Sequence, residues 1–275
     1  MLSYRVRLDI PVPLIRFVSR LLAARRRELG TRRGARKLGC RQQAVFGLAW
    51  FRDRCSIARL GAGFGISQAT AYRYVGEVID VLAAKAPGLR EALERALADG
   101  VPHVILDGKV FDSDRCLEKT LSRRGGKEID LWYSGKKHGF GGNVQALFYP
   151  DGRPFWVSGV VPGNVNDLSS AREMVTPVLS AFTGKLPVLA DAGYEKAGHG
   201  ILTPARKPQG ALELDINSRT RNALIRSVRC KGERGFALLT QRWTTLQHIT
   251  ASPSRIGDIT RAALVLTLFE HKMLT

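Results

Sequence analysis

Three acidic residues stand where carboxylates could hold metal and cut phosphodiesters. Asp107 closes the apolar run His103–Val104–Ile105–Leu106, Asp191 closes Pro187–Val188–Leu189–Ala190, and Glu233 falls in a helical segment. A carboxylate at the carboxyl end of an apolar strand is desolvated on one side and faces a cleft on the other, which costs free energy unless a partner such as a cation compensates it. Two such strands and a helix could gather three carboxylates around Mg2+. In-line displacement at phosphorus needs charge neutralised on both the entering and the leaving oxygen, and two Mg2+ ions about 3.5 to 4 Å apart do so when a carboxylate bridges them. Asp107 suits the bridge, Asp191 would hold one ion and Glu233 the other, with Mn2+ able to substitute. Taken singly, each acid is a weak signal, because Asp followed by Gly is a common turn pair.

The elements that must position these acids follow from the pattern of apolar residues. Leu14, Phe17, Val18, Leu21 and Leu22 repeat at helical spacing, residues 25–37 form a basic connector punctuated by glycine, and a second helix spans about Arg41 to Arg52. Residues 56–80 have the shape of a helix-turn-helix with Ser67 as the N-cap of its second helix. From that cap Ala71, Val75, Val78 and Ile79 face the core, whereas Gln68, Thr70, Tyr72 and Arg73 are left to face a DNA groove or phosphates. Pro87 to Gly100 reads as a short helical link. Strands are expected at His103–Phe111, Gly142–Tyr149 and Phe155–Val161, with Pro150–Asp151–Gly152 as a turn between the last two. A helix over Asp167–Phe182 then crosses over to short strands at Pro187–Asp191 and Gly200–Thr203, and Asn217–Arg242 is a long basic helix. The class is α+β or α/β: a helical domain over residues 1–90, then a mixed sheet flanked by helices over residues 101–275.

Net charge points to the partner. The 275 residues carry a formal charge of +19, and the first hundred hold 19 Lys and Arg against 8 Asp and Glu. Such an excess favours a polyanion through counterion release, each neutralised phosphate adding about 0.9 to the salt slope. The apolar run Val12–Ala24 is interrupted by Arg16 and Arg20 and reads as an amphipathic helix rather than a signal peptide, so a cytoplasmic protein with no membrane partner is expected. The four cysteines show no C-x-x-C spacing and read as reduced thiols. P-loop, nucleophile-elbow, H-E-x-x-H and dinucleotide fingerprints are missing, which narrows the field to the carboxylates.

In order along most of the chain run Leu106–Asp107–Gly108, Tyr133–Ser134–Gly135–Lys136–Lys137–His138 leading into Asn143–Val144–Gln145, Pro162–Gly163 before Asn166–Asp167–Leu168, Ala190–Asp191–Ala192–Gly193–Tyr194, Thr203–Pro204, Asn217–Ser218–Arg219 and Gly232–Glu233–Arg234. With these motifs the chain resembles the DDE transposases of bacterial insertion sequences, within them the insertion sequence five group related to Harbinger elements. The resemblance implies an RNase H-like catalytic domain behind a helix-turn-helix and an acidic triad of Asp107, Asp191 and Glu233. It further implies binding of terminal inverted repeats, metal-dependent cleavage that exposes a 3′-hydroxyl, and attack of that hydroxyl on target DNA without a covalent enzyme intermediate. The partners would be double-stranded DNA, as element end and as target, and a second copy of the chain in a dimer or larger synaptic assembly near the nucleoid.

Other residues complete the expectation. Lys136, Lys137 and His138 could clamp phosphate, and Arg219, Arg221, Arg226, Arg229 and Arg234 form a basic series on the long helix that could track DNA. Asp167 is either an auxiliary acid or a helix cap, Asp112 and Asp114 read as solvated loop residues, and Trp132, Trp156 and Trp243 as core. A DNA-binding regulator that has lost catalysis, and an RNase H-like nuclease or resolvase, are the competing readings. Between Gly232 and Gly235, each costing about 1 kcal/mol in a helix relative to Ala, Glu233 is the least secured of the three acids.

Overall fold

The computed structural model describes residues 8–122, 125–198, 200–207 and 213–274, the side chains of residues 228 and 229 excepted. Five helices come first: α1 (Val12–Glu28), α2 (Cys40–Asp53), α3 (Ile57–Gly63), α4 (Gln68–Ala83) and α5 (Leu89–Ala98). The expected apolar stripe of α4 is buried, Tyr74 and Leu82 joining Ala71, Val75, Val78 and Ile79, and the Ser67 hydroxyl accepts from the Thr70 amide at 3.4 Å as its N-cap. Helices α3 and α4 cross at Gly61, where an added Cβ would lie 2.8 Å from that of Ala71.

Among the described residues eight strands follow: β1 (Val104–Asp112), β2 (Lys119–Leu121), β3 (Glu128–Asp130), β4 (Tyr133–Ser134), β5 (Gly139–Phe148), β6 (Pro154–Pro162), β7 (Val188–Leu189) and β8 (Ile201–Leu202). The main sheet has the order β6-β5-β1-β7-β8, antiparallel across β6, β5 and β1 and parallel across β1, β7 and β8, with β4 folding back on the start of β5. This is the RNase H-like mixed sheet that the resemblance implies. Strands β2 and β3 form a separate hairpin that hydropathy did not announce.

The crossover from β6 to β7 is broken, unlike the single helix expected over Asp167–Phe182. It divides into α6 (Asp167–Met174), α7 (Thr176–Leu179) and a 3-10 turn at Ser180–Phe182, because Val175 leaves ideal helical angles and Pro177 has no amide to donate. The long basic helix is α8 (Ile216–Arg242). A last helix, α9 (Ile256–Glu270), was not expected from the sequence, although its apolar character on all sides is the mark of a buried helix.

The two faces of the sheet have separate cores. On one, α5, α6 and α7 cover Val104, Leu106 and Leu147; on the other, α8 and α9 cover Ile105, Phe111, Val144, Ala146 and Phe148. The second core continues into α1, α2 and α4, so the amino-terminal helices and the sheet share one apolar cluster with α9 inside it. Phe17 stacks on Phe269 at 4.5 Å between ring centres, and Arg255 bonds Asp80 at 2.5 Å, tying α1 and α4 to α9 and the turn before it. Trp132, Trp156 and Trp243 are core, as expected, and all four cysteines are free thiols.

Candidate active site and nucleic-acid interface

Asp107 lies mid-strand, where the apolar run ends, since β1 continues to Asp112 as the expected His103–Phe111 strand required, while its parallel neighbour β7 stops at Leu189. The long antiparallel pairing with β5 sustains β1 past the point where the apolar run gives out; Asp107 sits opposite Ala146 and Gly108 opposite Gln145. In the parallel register Ile105 faces Leu189, so Asp107 and Asp191 each lie two residues beyond that pair on neighbouring chains. Paired strands are about 4.8 Å apart at that pair, and Tyr194 and Lys136 each feel the charges of the two acids. Both are half-buried and turned by local bonds: Asp107 Oδ1 accepts from the Gly108 amide at 2.9 Å, and Asp191 Oδ1 from the Gly193 amide at 2.7 Å, opening a 3-10 turn over Ala192–Tyr194.

Glu233 is brought to the same side of the sheet by the two glycines that made its placement doubtful. An added Cβ on Gly232 would meet Ile105 Cγ2 at 3.2 Å and Asp107 Cβ at 3.6 Å; one on Gly235 would meet Phe148 Cδ1 at 2.2 Å and the Gly152 carbonyl at 2.4 Å. The glycines are therefore the surface on which α8 sits against β1 and β5. Glu233, exposed, follows Gly232, where an added Cβ would reach van der Waals distance of Asp107. Among the described residues no three His, Cys, Asp or Glu side chains converge closely enough to hold an ion. In donor chemistry the three acids still fit a hard divalent cation, which takes carboxylate oxygens.

The other face of β1 carries polar residues that composition did not single out. Asn143 and Gln145 alternate with apolar residues in β5, so both point to the face of Leu147, where they are almost fully buried. That period-two interruption of an apolar strand was the available signal. Tyr194, from the turn that Asp191 opens, donates to Gln145 Oε1 at 2.7 Å, and Asn143 Nδ2 donates to Asp167 Oδ1 at 2.8 Å. Asp167 is not the cap of α6: Asn166 fills that role by accepting from the Ser169 amide at 2.8 Å, which leaves Asp167 turned inward. Burial first, then the charges of Asp167, Asp107 and Asp191, push the Tyr194 hydroxyl far above the usual phenol range and keep it a donor.

Lys136, Lys137 and His138 lie on the turn between β4 and β5, all exposed. Lys136 Nζ reaches Asp167 Oδ2 at 2.9 Å; this bond first, then the charges of Asp167, Asp191 and Asp107, hold its ammonium above the ordinary lysine range. Lys137 pairs with Asp112 and donates to the Val110 carbonyl at 3.2 Å, while Asp114 pairs with His248 at 2.7 Å. Neither Asp112 nor Asp114 is thus a merely solvated residue.

On α4, Gln68, Tyr72 and Arg73 are exposed and, among the described residues, have no hydrogen-bond or ion-pair partner, whereas the Thr70 hydroxyl accepts from Ser67 at 3.0 Å. The arginines of α8 are not one face: Arg219 pairs with Glu213 at 2.9 Å, and Arg221, on the opposite side by the helical repeat, reaches the Thr203 carbonyl at 3.5 Å. Arg226 and Arg234 are exposed; the Arg229 side chain lies outside the described residues.

Residues 106–267 match the family model of the DDE superfamily endonuclease, and residues 36–88 match that of the helix-turn-helix of DDE superfamily endonuclease. The chain belongs to the DDE superfamily of endonucleases and transposases. This DDE endonuclease is matched across Asp107, Asp191 and Glu233 and into α9, and its helix-turn-helix match takes in α2, α3 and α4. A crystal structure of a pre-cleavage Mos1 transpososome aligns with 85% of the DDE endonuclease and 79% of its own chain at 10% identity, with a TM-score of 0.17. No curated protein matches it. Among the described residues, no helix is long and apolar enough to cross a membrane.

Proposed function

We propose that this DDE endonuclease is the transposase of an insertion sequence, of the insertion sequence five group by its motifs. It binds terminal inverted repeats through α4 and cuts and joins DNA strands at Asp107, Asp191 and Glu233. The observation that carries the reading is the seat of α8: a Cβ at Gly232 would come within 3.6 Å of Asp107 Cβ, so the helix bearing Glu233 packs on the strand bearing Asp107, with Asp191 two residues past the end of β7. Mg2+ or Mn2+ would be held by those three carboxylates. When bound, such ions supply neutralisation of the entering and leaving oxygens and a lowered pKa for water.

The remaining roles fall to the protein's own groups. Gln68, Tyr72 and Arg73 present free polar ends from a rigid helix and suit a groove or phosphates, while the turn bearing Lys136, Lys137 and His138 supplies cations beside the acids. Two element ends must be joined, so the working form is a dimer or larger assembly on double-stranded DNA at the nucleoid. A DNA-binding regulator without catalysis would have no need of all three acids, and their retention favours the enzyme.

Purified protein with Mg2+ or Mn2+ is expected to cleave DNA carrying the repeats that flank its gene. Asp107→Asn, Asp191→Asn and Glu233→Gln are each expected to reduce cleavage to background while DNA binding persists. Cleavage that survives in all three variants would sink the triad, and binding without cleavage by the native protein would favour the regulator.

A further inference from the structure

We infer that Asp167 is a positioning residue of the candidate active site: one carboxylate oxygen holds Lys136, and the other ends an oriented hydrogen-bond chain that begins on the turn carrying Asp191. The inference rests on the transposase reading for its purpose, but not for its geometry. Every donor in the chain points toward Asp167. The Tyr194 hydroxyl donates to Gln145 Oε1 at 2.7 Å, Gln145 Nε2 to Asn143 Oδ1 at 3.0 Å, and Asn143 Nδ2 to Asp167 Oδ1 at 2.8 Å. Asn143 is 1% exposed and Gln145 is not exposed at all, so these partners cannot be exchanged for water. An ionised carboxylate accepts and never donates, which makes it the natural terminus of such a chain, and each bond polarises the next.

Three parts of the site meet at this residue. A Cβ on Gly108 would lie 2.5 Å from Gln145 Nε2, 2.6 Å from Asp167 Oδ1 and 2.8 Å from the Tyr194 hydroxyl, so the residue after Asp107 rests directly on the chain. The Tyr194 end belongs to the turn that Asp191 opens. On the remaining oxygen, Lys136 Nζ is held at 2.9 Å although its side chain is 80% exposed, whereas that of Asp167 is only 18% exposed. A lysine on a four-carbon stem would otherwise wander, and ordering it beforehand spares part of the entropy of gripping a phosphate. Since Asn166 caps α6, Asp167 has no capping duty to account for its inward orientation.

Asparagine and alanine at residue 167 separate the two arms. Asp167→Asn still offers an oxygen to Asn143 but gives up the charge that holds Lys136; Asp167→Ala loses both. In hydrogen–deuterium exchange of the full chain, Asp167→Asn is expected to speed exchange in residues 133–140 by about fivefold while residues 191–197 stay as in the native protein, and Asp167→Ala to speed both. Exchange left unchanged in both segments by Asp167→Ala would overturn the inference. A rise extending equally over α1 to α4 would overturn it too, because that is general loss of stability.

Nicking of a supercoiled plasmid carrying the gene and its flanks, in Mn2+, supplies the functional arm. Asp167→Asn is expected to nick on the order of tenfold more slowly, with DNA affinity equal or tighter because a negative charge has been removed. Weaker affinity, or an unchanged rate, would count against positioning. Native protein that does not nick at all would defeat the transposase reading instead, and the exchange measurement would then decide the role of Asp167 by itself.

Discussion

Helices α4 and α8 each present a charged surface beside a buried one and share one apolar core, yet α8 adds a second kind of anchor. Helix α4 is held by bulk: Tyr74, Val75, Val78, Ile79 and Leu82 sink into the core and Ser67 caps the start, so its outer residues are displayed at fixed spacing. Helix α8 also buries Phe236 and Leu239, but beside them Gly232 and Gly235 bring its backbone close to Ile105, Asp107 and Phe148. Hydrophobic burial fixes which face of a helix turns inward, whereas glycine contact fixes how near the helix can come. Under the proposed function, α4 as a reader of DNA would need only the first, and the approach of Glu233 to Asp107 would need the second.

The contrast breaks most readily at Gly235. If α8 were an ordinary exposed helix, Gly235→Ala would stabilise it by about 1 kcal/mol; with Phe148 and the Gly152 carbonyl in the way, the expected result is destabilisation of about 1 to 3 kcal/mol by chemical denaturation, with cleavage lost. Gly232→Ala should be milder in stability, because its nearest contact of 3.2 Å is with the end of the Ile105 side chain. On α4 the expected signs reverse. Arg73→Ala should leave stability within about 0.5 kcal/mol of native and weaken binding to the repeat DNA by about 1 to 3 kcal/mol in an anisotropy titration, and unchanged affinity would remove α4 as the reader.

Smaller effects sharpen the same comparison. Ser67→Ala should cost about 1 kcal/mol at most in thermal or chemical unfolding, because the cap bond is long at 3.4 Å and the apolar face carries the helix. The smallest expected effect is a pH dependence at His103, just before β1, where burial first and the nearby Lys231 second lower the imidazole pKa. A lowered folded value means that the unfolded chain takes up the proton first. The native state is thus favoured in full above the ordinary histidine pKa of about 6.5 and loses that advantage as pH falls below it. His103→Gln should flatten this part of the stability profile, and an unchanged slope would refute the assignment.

The parts of the site differ in how far local pattern could disclose them. Ser67 followed by apolar residues at helical spacing is a complete local statement, and α4 is built as that pattern requires. The alternation Asn143–Val144–Gln145 was equally local, but it reveals only which face the amides take; that they end on Asp167 and Tyr194 depends on α6 and on the turn after β7. Asp107 closes the apolar run, but the strand was expected to run on to Phe111, and pairing with β5 carries β1 to Asp112. The short hairpin of β2 and β3 and the helix α9 were not foreseen, the first because three-residue strands carry too little periodicity, the second because a helix buried on all sides has no amphipathic signal.

By itself the sequence determined the inward face of α4, the basic excess and the order of the longer strands and of the helices up to α8, because each is written in residue type or in periodicity over a few turns. Only the tertiary structure decided that the glycines around Glu233 are a docking surface, that Asp167 belongs to a buried chain rather than a cap, and that α9 joins the amino-terminal helices to the sheet in one core. Periodicity states that a face will be buried. What it is buried against depends on segments far away in the chain, and in this protein those long-range contacts bring the acidic residues to the same side of the sheet.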